Sequence, residues 1–139
     1  MRRLYLIAGL PGTGKTTMAR MLENGHASDN VVHVEADHYF EDEEGTYRFD
    51  PTMLKDAHKW CQEMVRLAML NETPVVIVSN TFVKRWEAEP YEAMARTYGY
   101  EVVDIIMDNA HYSDEELAAR NVHKVPQKKI AQMRANWEL

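Results

Sequence analysis

The 139-residue sequence has little of what marks membrane-spanning or secreted proteins. No stretch approaches the roughly 18 apolar residues that a membrane helix needs. The start of the chain lacks the longer apolar region and the small-residue cleavage site of a secretory signal. Cys61 is the only cysteine, so an internal disulfide is excluded and the reducing cytoplasm is the expected location.

Basic residues are also few. Lysine and arginine number 16 against 22 aspartates and glutamates, for a net charge of −6. A protein that coats nucleic acid nonspecifically is normally basic, so this class is disfavoured, whereas an enzyme that contacts DNA over a small patch is not. Lys124, Lys128 and Lys129 either follow the backbone of bound DNA or form an ordinary solvated helix face.

Short apolar segments alternate with helical patterns along the chain. Residues 4–8 and 75–78 are continuous apolar runs, as strands buried on both faces require. The other predicted elements are strands at 31–35 and 102–107 and helices at 15–23, from 50 onward, at 86–98, at 113–120 and at 126–137. This alternation predicts a single α/β domain over residues 1–139, with a parallel sheet of about four strands and flanking helices.

Residues 9–16 read Gly-Leu-Pro-Gly-Thr-Gly-Lys-Thr and match the pattern G-x-x-x-x-G-K-[ST] in full. Glycines let backbone N–H groups surround a phosphate, and the helix that follows directs its positive end at the same anion. Lys15 adds a charge at the β- and γ-phosphates of ATP, and the Thr16 hydroxyl is a ligand for Mg²⁺. The predicted nucleotide-binding residues in this segment are Gly12, Thr13, Gly14, Lys15, Thr16 and Thr17.

The context of this motif argues against a chance glycine-rich turn, because an apolar strand precedes it and a helix follows it. Its glycine spacing does not fit the dinucleotide pattern G-x-G-x-x-G, which disfavours a nicotinamide or flavin site. The sequence therefore predicts a P-loop that binds the phosphates of ATP.

Asp37 follows the second predicted strand. Since the carboxyl ends of parallel strands line the ligand crevice, Asp37 should face the phosphate loop. A kinase needs a base near the acceptor hydroxyl and a carboxylate suits that task, although a solvated loop carboxylate remains the alternative. His38 is a weaker candidate for the same role or for substrate contact. The aromatic side chains within residues 39–49, Tyr39 among them, either stack on a substrate base or pack internally.

Several segments together resemble polynucleotide kinase and its small P-loop relatives. They lie at residues 9–16, 36–40, 47–58, 76–81, 86–91 and 120–126. The resemblance spans nearly the whole chain and implies the P-loop NTPase and kinase fold, with a helical lid around residues 113–130. It also implies an ATP-dependent kinase acting on a hydroxyl of a nucleic acid or nucleoside, with Asp37 as general base and an Arg120 that contacts the ATP phosphates.

One branch of this group is similar to phage kinases that phosphorylate 5-hydroxymethyluracil bases in DNA. The favoured acceptor is therefore 5-hydroxymethyluracil in DNA, which would place a phage-encoded enzyme in the host cytoplasm. The alternatives are a polynucleotide 5′-hydroxyl kinase, a small-metabolite kinase of the shikimate or gluconate type, and a nucleotide-binding switch without transfer. For Arg120 the alternative is a surface pairing with Glu116.

The sequence departs from its relatives at the end of the third predicted strand. Many of them carry an aspartate where this chain has Ser79, and that aspartate usually helps to hold Mg²⁺. With Ser79 here, the metal is expected to rely on Thr16, Asp37 and water. Asn80 and Thr81, which follow, are predicted polar contacts to metal-bound water or to the substrate.

Overall fold

The computed structural model describes residues 2–27 and 29–139. The strands are β1 (Arg3–Ala8), β2 (Val31–Val34), β3 (Val75–Asn80) and β4 (Glu101–Ile106). The helices are α1 (Lys15–Gly25), α2 (Leu54–Leu70), α3 (Glu89–Tyr98), α4 (Asp114–Arg120) and α5 (Gln127–Asn136). Short 3-10 turns lie at Ala36–Phe40, Pro51–Met53 and Arg85–Glu87.

The four strands form one parallel sheet in the order β2-β3-β1-β4. Parallel neighbours need a crossover connection, which α1, α2 and α3 supply between successive strands. All six residues of β3 are buried, whereas exposed residues recur along the edge strand β4. The predicted α/β class and the four-stranded parallel sheet are confirmed, and the carboxyl ends of β1, β2 and β3 meet at one edge.

Two apolar cores cover the faces of the sheet. Because successive strand side chains point to opposite faces, Leu4 and Leu6 pack into the core that holds α2 and α3. Tyr5 and Ile7 pack on the opposite face, with Ala19 of α1. A third cluster of Leu10, Leu117 and Ile130 joins the end of β1 to α4 and α5. The phosphate-loop motif follows the carboxyl end of β1, where these clusters meet.

Helix boundaries follow local sequence signals. The Asp50 carboxylate accepts a hydrogen bond from the Thr52 N–H, and Ser113 and Glu116 form the predicted capping box. The helix predicted from residue 86 begins instead at Glu89, because residues 85–87 form a 3-10 turn and Pro90 lacks the N–H that an interior turn needs. None of the described helices combines the length and the apolar composition required to cross a membrane.

Candidate active site

Residues 9–14 form a loop between β1 and α1, here called the phosphate loop. Gly12 and Gly14 have φ angles of 85° and 96°, a left-handed conformation that glycine adopts without a steric penalty. Gly14 is the N-cap of α1, so the free N–H groups of the first helical turn come directly after the loop. The Thr13 hydroxyl donates to the Leu10 carbonyl at 2.7 Å and closes the turn. The loop therefore has the shape of an anion cradle.

Lys15 lies across this loop. Its Nζ donates hydrogen bonds to the carbonyl oxygens of Gly9 and Leu10, at 2.8 and 3.1 Å. Burial of the ammonium group lowers the pKa of Lys15 to about 8, against the attraction of Glu35 and Asp37, which acts in the opposite direction. Lys15 is thus mostly protonated at neutral pH, and both carboxylates are near enough to act on it electrostatically.

A buried carboxylate contacts the next residue of the motif. Glu35, directly after β2, is 7% exposed, and its Oε1 accepts hydrogen bonds from Thr16 Oγ1 at 2.9 Å and Ser79 Oγ at 2.8 Å. Nε2 of His33 lies 2.7 Å from Ser79 Oγ and 3.3 Å from Glu35 Oε1. The hydroxyl predicted to bind Mg²⁺ is therefore held by the glutamate that directly follows β2.

These contacts keep Glu35 ionised. Burial by itself raises the pKa of Glu35, but the hydrogen bonds from His33, Ser79 and Thr16, together with the charge of His33, outweigh it and lower the value to about 2. Buried carboxylates that stay ionised are normally paired with a cation or a metal. Lys15 is such a cation, and the opposite charges of Lys15 and Glu35 attract each other.

Asp37 lies in the first turn after Glu35 and is more accessible, with 41% of its side chain exposed. Its Oδ1 accepts a hydrogen bond from the Tyr47 hydroxyl at 3.1 Å, and its Oδ2 lies 3.5 Å from Nε2 of His123. The rings of Tyr47 and His123 pack together with centroids 4.4 Å apart. Burial and the charge of Asp37 raise the pKa of Tyr47, so its hydroxyl remains a donor.

The other predicted substrate residues after β2 have internal contacts. Nδ1 of His38 accepts from the Glu35 backbone N–H at 3.3 Å, which makes His38 part of the turn that presents Asp37. Tyr39 packs against Trp60, with centroids 6.0 Å apart. Phe49, in contrast, is 51% exposed next to Tyr47 and remains available for a planar ligand.

Asn80 and Thr81 end the third strand near the same edge. Asn80 is buried, and its side-chain oxygen accepts from the Ala36 backbone N–H at 2.9 Å. It therefore fixes the turn that carries Asp37, and its oxygen is already engaged. Thr81 is partly exposed, and Thr17 is exposed in the first turn of α1.

Arg120, at the end of α4, lies against the phosphate loop. Its Nε donates to the Gly12 carbonyl at 3.0 Å, and its guanidinium carbon is 4.0 Å from the centre of the Tyr112 ring. The Glu116 carboxylate, offered above as its surface partner, accepts instead from the Ser113 backbone N–H at 3.1 Å. The guanidinium is thus held against the backbone of the phosphate loop.

Helices α4 and α5 form a hairpin over residues 114–136, which includes most of the predicted lid. The Asn121 side chain closes its turn, accepting from Val125 N at 2.7 Å and donating to the carbonyls of Leu117, Ala118 and Val125. Arg134 fixes the other end through Asp114, at 2.7 Å. This hairpin carries both Arg120 and His123 to the phosphate loop and Asp37.

The donor atoms of the site suit a hard divalent cation. One ligand atom each from Glu35, Asp37 and His123 lies within 4.8 Å of the others, and Thr16 adds a hydroxyl beside Glu35. Carboxylate and hydroxyl oxygens are the protein ligands that Mg²⁺ prefers, and it also keeps several waters. Thr16 and Asp37 therefore fit the metal that the P-loop motif implies, with the Glu35 carboxylate beside Thr16.

Two residues of the site, Glu35 and His123, were not predicted from the sequence, and Tyr47 was predicted only as an aromatic that stacks on a base or packs internally. Glu35 had a usable signal, because a charged residue directly after a buried strand lies at the ligand-facing edge of a parallel sheet. The contacts of Tyr47 and His123 with Asp37 had none, since each reaches Asp37 from a loop whose path depends on tertiary packing.

The chain also matches known proteins. A family model described as an AAA domain matches residues 4–139. The chain belongs to this AAA domain family. NEDD4-binding protein 2 from Homo sapiens is 35% identical to it over 136 residues, which is 97% of this chain and 8% of that protein.

Solved structures share the fold of this AAA domain. A chain of the Pnkp1/Rnl/Hen1 RNA repair complex superposes with a TM-score of 0.67 and 23% identity, over 97% of this chain and 43% of that one. The APS kinase CysC of Mycobacterium tuberculosis, in complex with AMPPNP and APS, gives 0.62 and 14%, over 96% and 74%. The domain therefore has a P-loop kinase-like fold, and it spans less than half of the first two proteins it matches.

Proposed function

We propose that this AAA domain is a kinase that transfers the γ-phosphate of ATP to a hydroxyl group of a nucleic acid, in the presence of Mg²⁺. The observation that carries the proposal is the placement of Asp37. Its carboxylate is accessible and lies close enough to Lys15 for its charge to oppose the lowering of the Lys15 pKa by burial. An exposed base beside the residue that binds the β- and γ-phosphates is what phosphoryl transfer to an alcohol requires.

In the proposed reaction the phosphate loop and Lys15 hold the triphosphate, and Asp37 accepts the proton of the acceptor hydroxyl. The acceptor oxygen forms a bond to the γ-phosphorus as the bond to the β–γ bridging oxygen breaks, and ADP leaves. When bound, Mg²⁺ neutralises charge on the β- and γ-phosphates. Glu35 is too enclosed to reach an acceptor, and Nδ1 of His38 accepts from the Glu35 backbone N–H, which favours Asp37 as the base.

The contacts of Asp37 support this role. Its two oxygens face Tyr47 and His123. An acceptor hydroxyl would take the place of one of these partners, while the other keeps the carboxylate oriented. The hairpin would then act as a lid, because His123 and Arg120 both belong to it.

Arg120→Ala is expected to slow phosphoryl transfer by about 10²-fold, the scale of removing one charged group that stabilises the transition state. The guanidinium already rests on the Gly12 carbonyl, so little reorganisation brings it to a phosphate. Single-turnover rates with saturating acceptor would measure the effect. Arg96→Ala, on α3, is the matched control and should keep the wild-type rate. Equal rates for Arg120→Ala and wild type would show that Arg120 has only a structural role.

The favoured acceptor is 5-hydroxymethyluracil in DNA. The acidic chain disfavours a long nonspecific DNA footprint, and the exposed Phe49 beside Tyr47 suits the grip of a single base, including one extruded from the duplex. The hydroxymethyl group is a primary alcohol like a 5′-hydroxyl. The second candidate is a polynucleotide 5′-hydroxyl kinase, which the structural likeness to the Pnkp1 complex favours.

Labelled ATP would decide between these acceptors. We expect label in internal bases of DNA that contains 5-hydroxymethyluracil, even when its 5′ ends already carry phosphate, and none in DNA with plain thymine. Label at 5′ ends of DNA or RNA alone would establish the second candidate. Label only in sugars or other metabolites, or ATP binding with no transfer at all, would overturn the nucleic-acid kinase proposal.

A further inference from the structure

The predicted magnesium site receives no carboxylate from β3. In P-loop enzymes Mg²⁺ is held by the hydroxyl of the motif together with a carboxylate from a neighbouring strand. Ser79, at the carboxyl end of β3, has no charge to offer and is 2% exposed. The strand that lies between β1 and β2 therefore supplies no acid.

Glu35 reaches the place beside Ser79 from the end of β2, the strand on the other side of β3. It follows Val34, whose register partner on β3 is Val78, so Glu35 lies next to Ser79 across the sheet. Its Oε1 is 2.8 Å from Ser79 Oγ and 2.9 Å from Thr16 Oγ1. One carboxylate oxygen of Glu35 thus lies beside both the Ser79 hydroxyl and the Thr16 hydroxyl of the P-loop.

The direction of the Thr16 hydrogen bond matters for metal binding. The hydroxyl donates its hydrogen to Glu35, which leaves the oxygen lone pairs free for a cation. A carboxylate that accepts this hydrogen also makes the oxygen a better ligand and fixes its rotamer, as outer partners of metal ligands do. Glu35 carries a full negative charge to share with the cation.

The same geometry disfavours a second carboxylate at residue 79. A carboxylate at that position would lie against Glu35, and two like charges at hydrogen-bond distance disfavour each other. Serine donates a hydrogen bond to Glu35 instead. We infer that Glu35 is the positioning carboxylate of the magnesium site, a role moved from β3 to the end of β2, with Ser79 as its hydrogen-bond donor. The inference rests on the proposed nucleotide site.

Nucleotide binding without any acceptor tests the inference directly. The probe is ATP, and its Kd is measured by calorimetry with Mg²⁺ and again in EDTA. Glu35→Gln should reduce the tightening by Mg²⁺ about 10-fold or more, the usual cost of losing an outer partner of a metal ligand. In EDTA the same variant should bind ATP equally or more tightly, because a negative charge near the phosphates is removed.

Glu23→Gln is the matched control. Glu23 Oε1 lies 3.4 Å from Nδ1 of His33, so it contacts the same histidine as Glu35, while its own side chain is 41% exposed. This variant should keep the full effect of Mg²⁺. A Glu35→Gln variant that also keeps it would overturn the inference.

Moving the acid back to β3 provides a second test. Ser79→Asp alone should weaken binding of Mg²⁺–ATP, and Glu35→Ser alone should lose the Mg²⁺ effect. The double variant E35S/S79D should recover most of it, since one carboxylate again lies beside Thr16. Binding in EDTA confirms that each variant has a formed phosphate loop; a double variant that binds in EDTA but shows no more Mg²⁺ effect than E35S would contradict the inference.

These outcomes are independent of the acceptor. A wild-type protein that phosphorylates nothing in the acceptor panel would end the proposed kinase activity. The Mg²⁺ dependence of ATP binding, and its loss in Glu35→Gln, would still be measurable in that protein.

Discussion

Lys15→Ala is expected to abolish measurable phosphoryl transfer, with a loss of at least about 10²–10³-fold from removing one preorganised charge at the reacting phosphates. The ammonium group lies across the phosphate loop on the Gly9 and Leu10 carbonyls, in position to meet the β- and γ-phosphates. Initial rates of label transfer from ATP measure the loss. Near wild-type turnover in this variant would show that the site is assigned wrongly.

A control variant and a pH titration test whether the effect comes from the charge of Lys15. Lys59→Ala removes an exposed lysine on α2 and should leave the rate unchanged. Raising the pH neutralises Lys15 itself, because its pKa in the free protein is about 8 and bound phosphates favour the protonated form. ATP affinity should therefore weaken above pH 8, approaching tenfold per pH unit, and Lys15→Arg should not show this dependence.

Asp37→Asn is expected to lower kcat by about 10²–10⁴-fold while the Kd for ATP changes little, because the amide keeps the shape but cannot accept the acceptor proton. The Tyr47 hydroxyl can still donate to the amide oxygen, so the turn should stay formed. Stopped-time assays with saturating acceptor, together with ATP calorimetry, separate the two quantities.

Asp56→Asn, at an exposed position of α2, is the matched control and should behave as wild type. The opposite pattern for Asp37→Asn, with weak ATP binding at unchanged kcat, would make Asp37 a ligand of the metal or nucleotide and leave the general base unassigned.

Local signals in the sequence were sufficient to predict the fold, the phosphate loop and Asp37. The phosphate loop is one contiguous segment whose glycines, lysine and threonine each have a separate physical purpose, so it is legible without a structure. Asp37 was predicted from strand polarity alone, since parallel strands end at one edge. The structure places both at that edge, where the charge of Asp37 acts on Lys15.

The remaining contacts depend on the order of the strands. Glu35 and Ser79 are 44 residues apart in sequence and touch only because β2 lies next to β3. Taken alone, the serine at position 79 indicates weak metal binding, and only the strand order brings the Glu35 carboxylate beside it. Asn80 likewise has a polar side chain at a ligand-facing strand end, but the backbone of Ala36 uses its oxygen.

Gly12 has a consequence for how mutations in the loop are interpreted. A Cβ built there would lie 2.7 Å from the Leu117 carbonyl oxygen and 3.4 Å from the Arg120 Cβ. Any side chain at this position would push α4 away, and with it the apolar contact of Leu10 with Leu117 and Ile130. A defective Gly12 variant would thus report on a dislodged helix as much as on a phosphate contact. A nucleotide titration that also follows the environment of Tyr112 or Trp137 would distinguish displacement of α4 from loss of a phosphate contact.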